Sequence, residues 1–337
     1  MSVAPTVSST NPVVDPSELQ RVYAEARTPH KYGIILRPES GQMLDCPSVF
    51  RHGSAWFMLY VCTTNKVGYE THLARSADLL HWTPLGKVLP FRDTGWDRWQ
   101  ADGGIALVDH NWGGSHELRP FDNRYWMSYL GGSLQGYETD PLAIGLAWTK
   151  HPDRAEPWTR LDNNPVLAPS DPDARPFEKK TLYKSNIIWD TAETFGHPFV
   201  MFYNGKQDGP RGWERIGMAV SQDMVHWSRI GDGPVIDNGT GISGDPQVVR
   251  MGDLWVMFYF GHVWKPKAFD TFAVSHDLVN WTKWDGPHLV EPSEPWDATF
   301  AHKPWIIKHD GVVYHYYCAV GNEGRVIALA TSKDLRS

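Results

Sequence analysis

The chain of 337 residues carries 32 Lys and Arg against 39 Asp and Glu, a formal net charge of −7, and so lacks the basic surplus that a nucleic-acid partner requires. No apolar run approaches the roughly 18 residues of a transmembrane helix, so no membrane partner is expected. The three cysteines, Cys46, Cys62 and Cys318, form an odd set in or beside strand-like runs and read as buried free thiols, not disulfides.

Residues 1–14, MSVAPTVSSTNPVV, are polar and Pro-rich and have neither a basic n-region nor a continuous apolar stretch, so they read as a disordered tail and not as a signal peptide. The chain as it stands is therefore expected in the cytoplasm, or in the periplasm or outside the cell if a signal has been removed. Asp15-Pro16-Ser17-Glu18 then supplies an N-cap, a proline at the first helical position and a glutamate three residues after the cap, which predicts a short helix over 16–27. YGIILRP, 32–38, follows as a strand.

From there one pattern recurs five times. An apolar run (CPSVF at 46–50, GIALV at 104–108, SNIIW at 185–189, DPQVV at 245–249, KPWII at 303–307) precedes an aromatic-rich run (AWFMLYV, RYWMSYL, PFVMFYN, LWVMFYF, VVYHYYC). A third segment closes on a shared motif, LARSADLLHW at 73–82, MAVSQDMVHW at 218–227 and FAVSHDLVNW at 272–281, with a weaker copy at 146–160 and a truncated one, LATSKDL, at 329–335. Short runs bounded by turn residues and rich in β-branched and aromatic side chains are strands. A further short segment, such as PLGKVLP at 84–90 or GPVID at 233–237, completes four strands per unit.

Five units of four antiparallel strands predict an all-β, five-bladed β-propeller, a single domain over 15–337 preceded by the short N-terminal helix. The fifth unit stops at Ser337 after its third strand. YGIILRP is expected to supply the missing one and close the ring, removing free edges. The repeated Ser-x-Asp-Leu stretch is a scaffold turn, and its tryptophans, Trp82, Trp227, Trp281 and Trp158, are expected to pack between blades. A feature shared by most blades does not mark one site.

Function is therefore sought where the blades differ, at the starts of the inner strands, which converge on one end of the axis. Unit one begins Leu44-Asp45-Cys46-Pro47, unit three Tyr183-Lys184-Ser185-Asn186, unit four Gly244-Asp245-Pro246 and unit five Ala301-His302-Lys303-Pro304. Unit two admits two registers: one puts Asp102 at the strand start, the other Gly114 with His116 and Glu117 just after it. Several acids with His and Lys at one end of a narrow channel are costly unless used. The plainer alternative is that each Asp satisfies a turn or binds a divalent cation on the axis; no cofactor is otherwise required.

The blade repeat, the Asp-containing strand starts in MLDCPSVF and SGDPQVV, and FAHKPWII together resemble the five-bladed β-propeller glycosidases over residues 32–337. That group includes the arabinanase and β-xylosidase family, the fructosidase-like enzymes, the anhydro-galactosidases and the mannoside phosphorylases. The resemblance implies an exo-acting glycosidase with a carbohydrate partner, and it assigns Asp45 as general base or nucleophile. It also implies a departure, because arabinanase-like enzymes carry a Glu proton donor where unit three has Lys184-Ser185-Asn186. Asp245, Glu117 or His302 must then give the proton, and the histidine donor of the anhydro-galactosidase branch favours His302.

Bond cleavage needs one group to protonate the leaving oxygen and another to attack or to activate water. Lys303 or Lys184 would hold one carboxylate ionised while poor solvation raises the other. Asp102, Lys184, Asn186, Lys303 and Trp264 are the expected sugar contacts, with loops 64–71, 132–140, 204–214 and 261–270 around them. Competing readings are a phosphorylase, which needs a cluster of basic residues near Asp45 such as Lys184, Lys206, Lys265 and Lys303, a lectin-like scaffold, which needs equivalent sites in every blade, and a transglycosylase. Nothing in the sequence fixes the oligomeric state.

Overall fold

The computed structural model describes residues 14–209 and 213–336, so the expected tail lies, apart from Val14, outside the described residues. The helix, α1 (Pro16–Ala26), starts at a complete capping box: Asp15 Oδ1 accepts from Ser17 N at 2.8 Å, and Glu18 Oε2 accepts from Asp15 N at 3.1 Å. Two backbone donors that the first turn leaves open are thereby satisfied. Leu19, Val22 and Ala26 face inward on a cluster containing Val256, Phe258 and Trp284. No helix among the described residues is long and apolar enough to cross a membrane.

Everything else of length is strand. After β1 (His30–Leu36) come β2 (Gln42–His52), β3 (Ala55–Thr64), β4 (Tyr69–Ser76) and β5 (Trp82–Leu89), paired in that order into one antiparallel sheet. A second sheet joins β6 (Gln100–Ile105), β7 (Tyr125–Gly132), β8 (Ala143–Thr149) and β9 (Thr159–Arg160). The same meander recurs in β10 (Thr181–Trp189), β11 (Phe199–Lys206), β12 (Glu214–Ser221) and β13 (Trp227–Ile230), and again in β14 (Ile242–Met251), β15 (Leu254–His262), β16 (Ala268–Ser275) and β17 (Thr282–Lys283). Finally β18 (Phe300–His309), β19 (Val312–Gly321) and β20 (Gly324–Thr331) form three strands, and β1 pairs antiparallel with β20, Ile34 opposite Ala328. The last three groups are stitched into one sheet by single parallel pairs, Glu214 with Ile242 and Ala268 with Phe300.

The repeated motif is a turn that satisfies itself. Ser76 Oγ accepts from the backbone N–H of Asp78 and Leu79, and Asp78 Oδ1 accepts from those of Leu80 and His81 at 3.0 and 2.9 Å. Ser275 and Asp277 repeat these bonds, and Asp223 repeats the carboxylate half. The fourth residue bends into the left-handed region, Leu79 at φ 69°, Met224 at 66° and Leu278 at 68°. Its carbonyl then accepts from the following tryptophan, as Leu278 O does from Trp281 Nε1 at 2.9 Å. Those indoles reach other units: Trp281 meets Phe202 of β11 edge-on, and Trp82 meets Tyr316 of β19.

At the far ends of the inner strands, the segment between β6 and β7 crosses several units. Its backbone bonds to Arg51, Ile187 and Arg250, and Trp112 Nε1 donates to Glu25 of α1 at 2.9 Å.

Candidate active site

Four inner strands break register near their starts, between Asp45 and Ser48, Leu182 and Ser185, Gly244 and Gln247, and His302 and Trp305. In three of them the bulged residue has positive φ, Cys46 at 49°, Asp245 at 50° and Lys303 at 63°, and a proline follows it. Such a bulge re-aims a side chain, and proline fits where the ladder asks for no donor. Cys46, Asp245 and Lys303 are therefore equivalent positions, and Asp45 matches Gly244 and His302. The two strand-start aspartates, Asp45 and Asp245, are therefore offset by one residue. Because neighbouring residues face opposite ways along a strand, they do different things.

A cavity of about 150 Å³ opens at this end of the inner strands and draws its walls from units two to five. Asp102, Lys184, Asp245, His302 and Lys303 line it, as the sequence predicts. So do Tyr137, Glu138, Glu214 and Arg325, which the strand-start pattern does not mark. Asp45 is buried at 2% exposure and is not one of the lining residues. Its Oδ2 accepts from Arg325 Nη1 at 2.8 Å, Lys303 Nζ at 3.0 Å and Tyr137 OH at 3.2 Å, and Cys46 N bonds Oδ1 at 3.0 Å. Burial works to raise this carboxyl, but Arg325 and then Lys303 outweigh it and hold it well below the usual carboxylate range. With no open face, Asp45 is a counter-ion that fixes two cations and a phenol.

Beneath the cavity Lys184 Nζ meets Asp102 Oδ1 at 2.6 Å and Gly103 O at 3.0 Å, while the Cys46 thiol donates to Asp102 Oδ2 at 3.2 Å. Burial works against the Lys184 charge, yet Asp102 overcomes it and raises the ammonium above its ordinary value. Asp245 is held by Asn204 through its backbone N–H at 2.8 Å, and burial pushes its carboxyl up to about 6 against Lys303 and Lys184.

The acid suited to give a proton is Glu214, the first residue of β12 and only 9% exposed. Burial, then the nearby Glu138 charge, pushes it up to about 8, so it is protonated at neutral pH. Glu138 lines the same cavity with its Oε1 3.3 Å from Lys303 Nζ, on a backbone at φ 49°.

In its neutral form His302 has no proton to give from Nε2. Its Nδ1 lies 3.1 Å from Cys318 O, and a carbonyl only accepts, so Nδ1 carries the hydrogen and Nε2 is left as an acceptor. Burial, then Arg325 and Lys303, keeps this imidazole well below its ordinary range and hence neutral.

Three further expectations fall outside the cavity. Glu117 pairs with Arg51 at 3.7 Å on the surface at the other end, so the structure adopts the Asp102 register for unit two. Asn186 spends its Oδ1 on Val248 N at 3.0 Å, one strand turn too deep to face a ligand there. Trp264 donates to Ile242 O at 2.8 Å and packs edge-on against Phe269 as a loop strut. All three cysteines are free and buried. Among the described residues no group of three or more His, Cys, Asp or Glu side chains is arranged to hold a metal ion.

One signal could have exposed one of the missed acids. The tetrapeptide GYET occurs at 68–71 and again at 136–139. In the first copy Glu70 is consumed by Phe91 N and Lys87, whereas in the second Glu138 is aimed at the cavity.

The chain is similar to solved structures along nearly its whole length. It is 47% identical to the protein in a BT0996 RGII complex, with 96% of this chain and 97% of that one covered and a TM-score of 0.93. It is 46% identical, with the same coverage and a TM-score of 0.92, to a structure named only as a glycoside hydrolase. At 14% identity and a TM-score of 0.64 it shares the fold of a protein described among the GH130 mannoside phosphorylases and β-1,2-mannoside hydrolases, over 93% of this chain and 97% of that one. No protein-family model matches the chain, and no curated protein does.

Proposed function

The chain belongs to the propeller-type glycoside hydrolases, and from that premise we propose that it is an exo-acting enzyme which removes a terminal sugar from RGII or a carbohydrate resembling it. The observation that carries the mechanism is the pair Glu214 and Glu138 in one cavity, one carboxyl raised to about 8 by burial and the other salt-bridged to Lys303. Glu214 protonates the leaving oxygen. Glu138 is the second carboxylate, attacking the anomeric carbon or activating the water that does. Asp102, Lys184, Asp245 and Lys303 bind the sugar from below, and Asp45 holds Lys303, Arg325 and Tyr137 in place.

Exo action is supported by the floor. Asp102 with Lys184, Cys46, and Asp45 with Lys303 wall the cavity beneath, so the end of a glycan fits and a through-running glycan does not. Hydrolysis is favoured over phosphorolysis because each cation lining the cavity among the described residues already has a carboxylate: Lys184 has Asp102, and Lys303 and Arg325 have Asp45. A cavity lined by different residues in each unit it touches, unlike an equivalent site repeated in every unit, argues against a lectin-like scaffold.

The same reading extends to the architecture. Residues 15–337 act as one catalytic domain of five blades, closed into a ring by β1. The step that seats Trp281 on the preceding unit's Phe202 seats Trp82 on Tyr316 of the last unit, and Trp305 Nε1 reaches Val49 O at 3.0 Å across the same junction.

Glu214→Gln and Glu138→Gln test the assignment on aryl glycosides and on RGII oligosaccharides. Each is expected to cut turnover on the order of 10²–10⁴-fold, Glu214→Gln most for poor leaving groups. Near wild-type turnover in either variant would remove that residue from the mechanism, and NMR of the first-formed anomer tells attack by Glu138 from activation of water.

A further inference from the structure

Lys303, Arg325 and Tyr137 of the cavity wall all donate to Asp45. The part of the wall that His302 shares with Phe260 and Phe300 is built differently. There His302 is 5% exposed, edge-on to Phe260 with centroids 5.3 Å apart and tilted against Phe300 at 5.5 Å. The Nδ1–H bond to Cys318 O pins the ring and leaves Nε2 with a lone pair and, among the described residues, no hydrogen-bond partner. His262, edge-on to Phe300 at 5.1 Å, is tied in the same way, its Nδ1 2.9 Å from Lys267 O. His302 Nε2 therefore stands as an acceptor toward the cavity, and a ligand hydroxyl that donates to it replaces the water it would otherwise take.

We propose that His302 is a specificity residue whose Nε2 accepts a hydrogen bond from one hydroxyl of the terminal sugar, so that the site requires an O–H donor at that corner. This rests on the reading of the cavity as a sugar site and adds to it the chemical demand made on the substrate. Because Nε2 can only accept, a sugar that presents a methoxy group, a fluorine or a carboxylate there sets acceptor against acceptor. A site built to bond one hydroxyl discriminates against its absence far more strongly than an apolar pocket discriminates by size. The neutral state of the ring is supported by its burial and by Arg325 and Lys303 nearby, both of which oppose a second positive charge.

The test has two readouts. Imidazole ¹⁵N spectra of the wild-type protein should show His302 protonated at Nδ1 and bare at Nε2; a proton on Nε2 overturns the proposal whether or not any glycoside is turned over. The second readout compares monodeoxy aryl glycosides, one position at a time, on wild type, His302→Gln and His302→Phe. One position should cost the wild type about tenfold to hundredfold or more in kcat/KM, and the same change should cost His302→Phe less than about threefold. His302→Gln, which keeps an acceptor, should retain part of the penalty. Penalties that are additive at every position overturn the proposal. Failure of the glycosidase reading is a different result, in which no glycoside is turned over by the wild type while its spectra are unaffected.

Discussion

Asp45 and Glu214 are both buried carboxyls, and their neighbours assign them opposite work. Asp45 is enclosed by Arg325, Lys303 and Tyr137, so its charge is stable and its lone pairs are spent. Glu214 has desolvation and the Glu138 charge to contend with, so it keeps its proton to about 8. An acid catalyst must be protonated to act, so kcat/KM is expected to fall above about pH 8, and Glu214→Gln should lose this limb while retaining residual turnover of activated aryl glycosides. The same shift has a stability consequence. The folded pKa lies above the ordinary value of 4.5, so the folded state holds a proton that the unfolded state has released, and stability declines as pH rises from there through about 8. Thermal melts should therefore show Glu214→Gln losing less Tm than wild type between about pH 6 and pH 9. An equal loss in both proteins would remove the raised carboxyl as the cause. The sequence favours Asp45 because a strand start can be recognised from its flanking pattern. Whether a carboxyl faces solvent or two cations depends on residues as remote as Arg325, and no local spacing encodes that.

At the scale of the strand and turn, more is legible. The Ser-x-Asp-Leu motif reads as a turn because its serine and aspartate oxygens can take the backbone donors that the bend releases, and they do. Asp223→Ala removes the acceptor for Val225 N and His226 N and is expected to cost about 0.5–2 kcal/mol, the range for losing a cap, with kcat/KM unchanged. Urea unfolding should show the midpoint move without a change in slope; an unaltered midpoint would mean that the turn holds without its carboxylate. The inner strands are legible as strands but not in phase. Aligning Asp45 with Asp245 is natural by eye, whereas the prolines at 47, 246 and 304 align the bulges and shift the match by one. The loops conceal Glu138 and Glu214 for a related reason. Their chemistry comes from sharing one cavity, and the chain carries them in different units.

For the molecule as a whole, the five repeats make the architecture readable from sequence, and the truncated fifth points to β1 as the missing strand. That pairing is present, with His30 opposite Thr331 and Leu36 opposite Ile327. Side chains add to it: Lys31 donates to Asp297 and to Tyr317, both in the last unit, and α1 covers Val256, Phe258 and Trp284. A protein that begins at Glu39 loses all of this at once. It exposes the hydrogen-bonding edge of β20, leaves the buried Asp297 without its cation, and strips the apolar cover that α1 provides. A protein that begins at Val14 keeps the Asp15 cap, α1 and β1. If β1 closes a ring, the loss cannot stay at the edge, because β20 carries Arg325, and β18, in the same unit, carries His302 and Lys303. The form starting at Glu39 is therefore expected to aggregate or to melt far below wild type, and any soluble fraction should lack activity, whereas the form starting at Val14 should match wild type in both. Sedimentation, thermal melts and aryl-glycoside turnover on the two truncations decide it, and a soluble, fully active protein starting at Glu39 would show that the blades hold together without the closing strand.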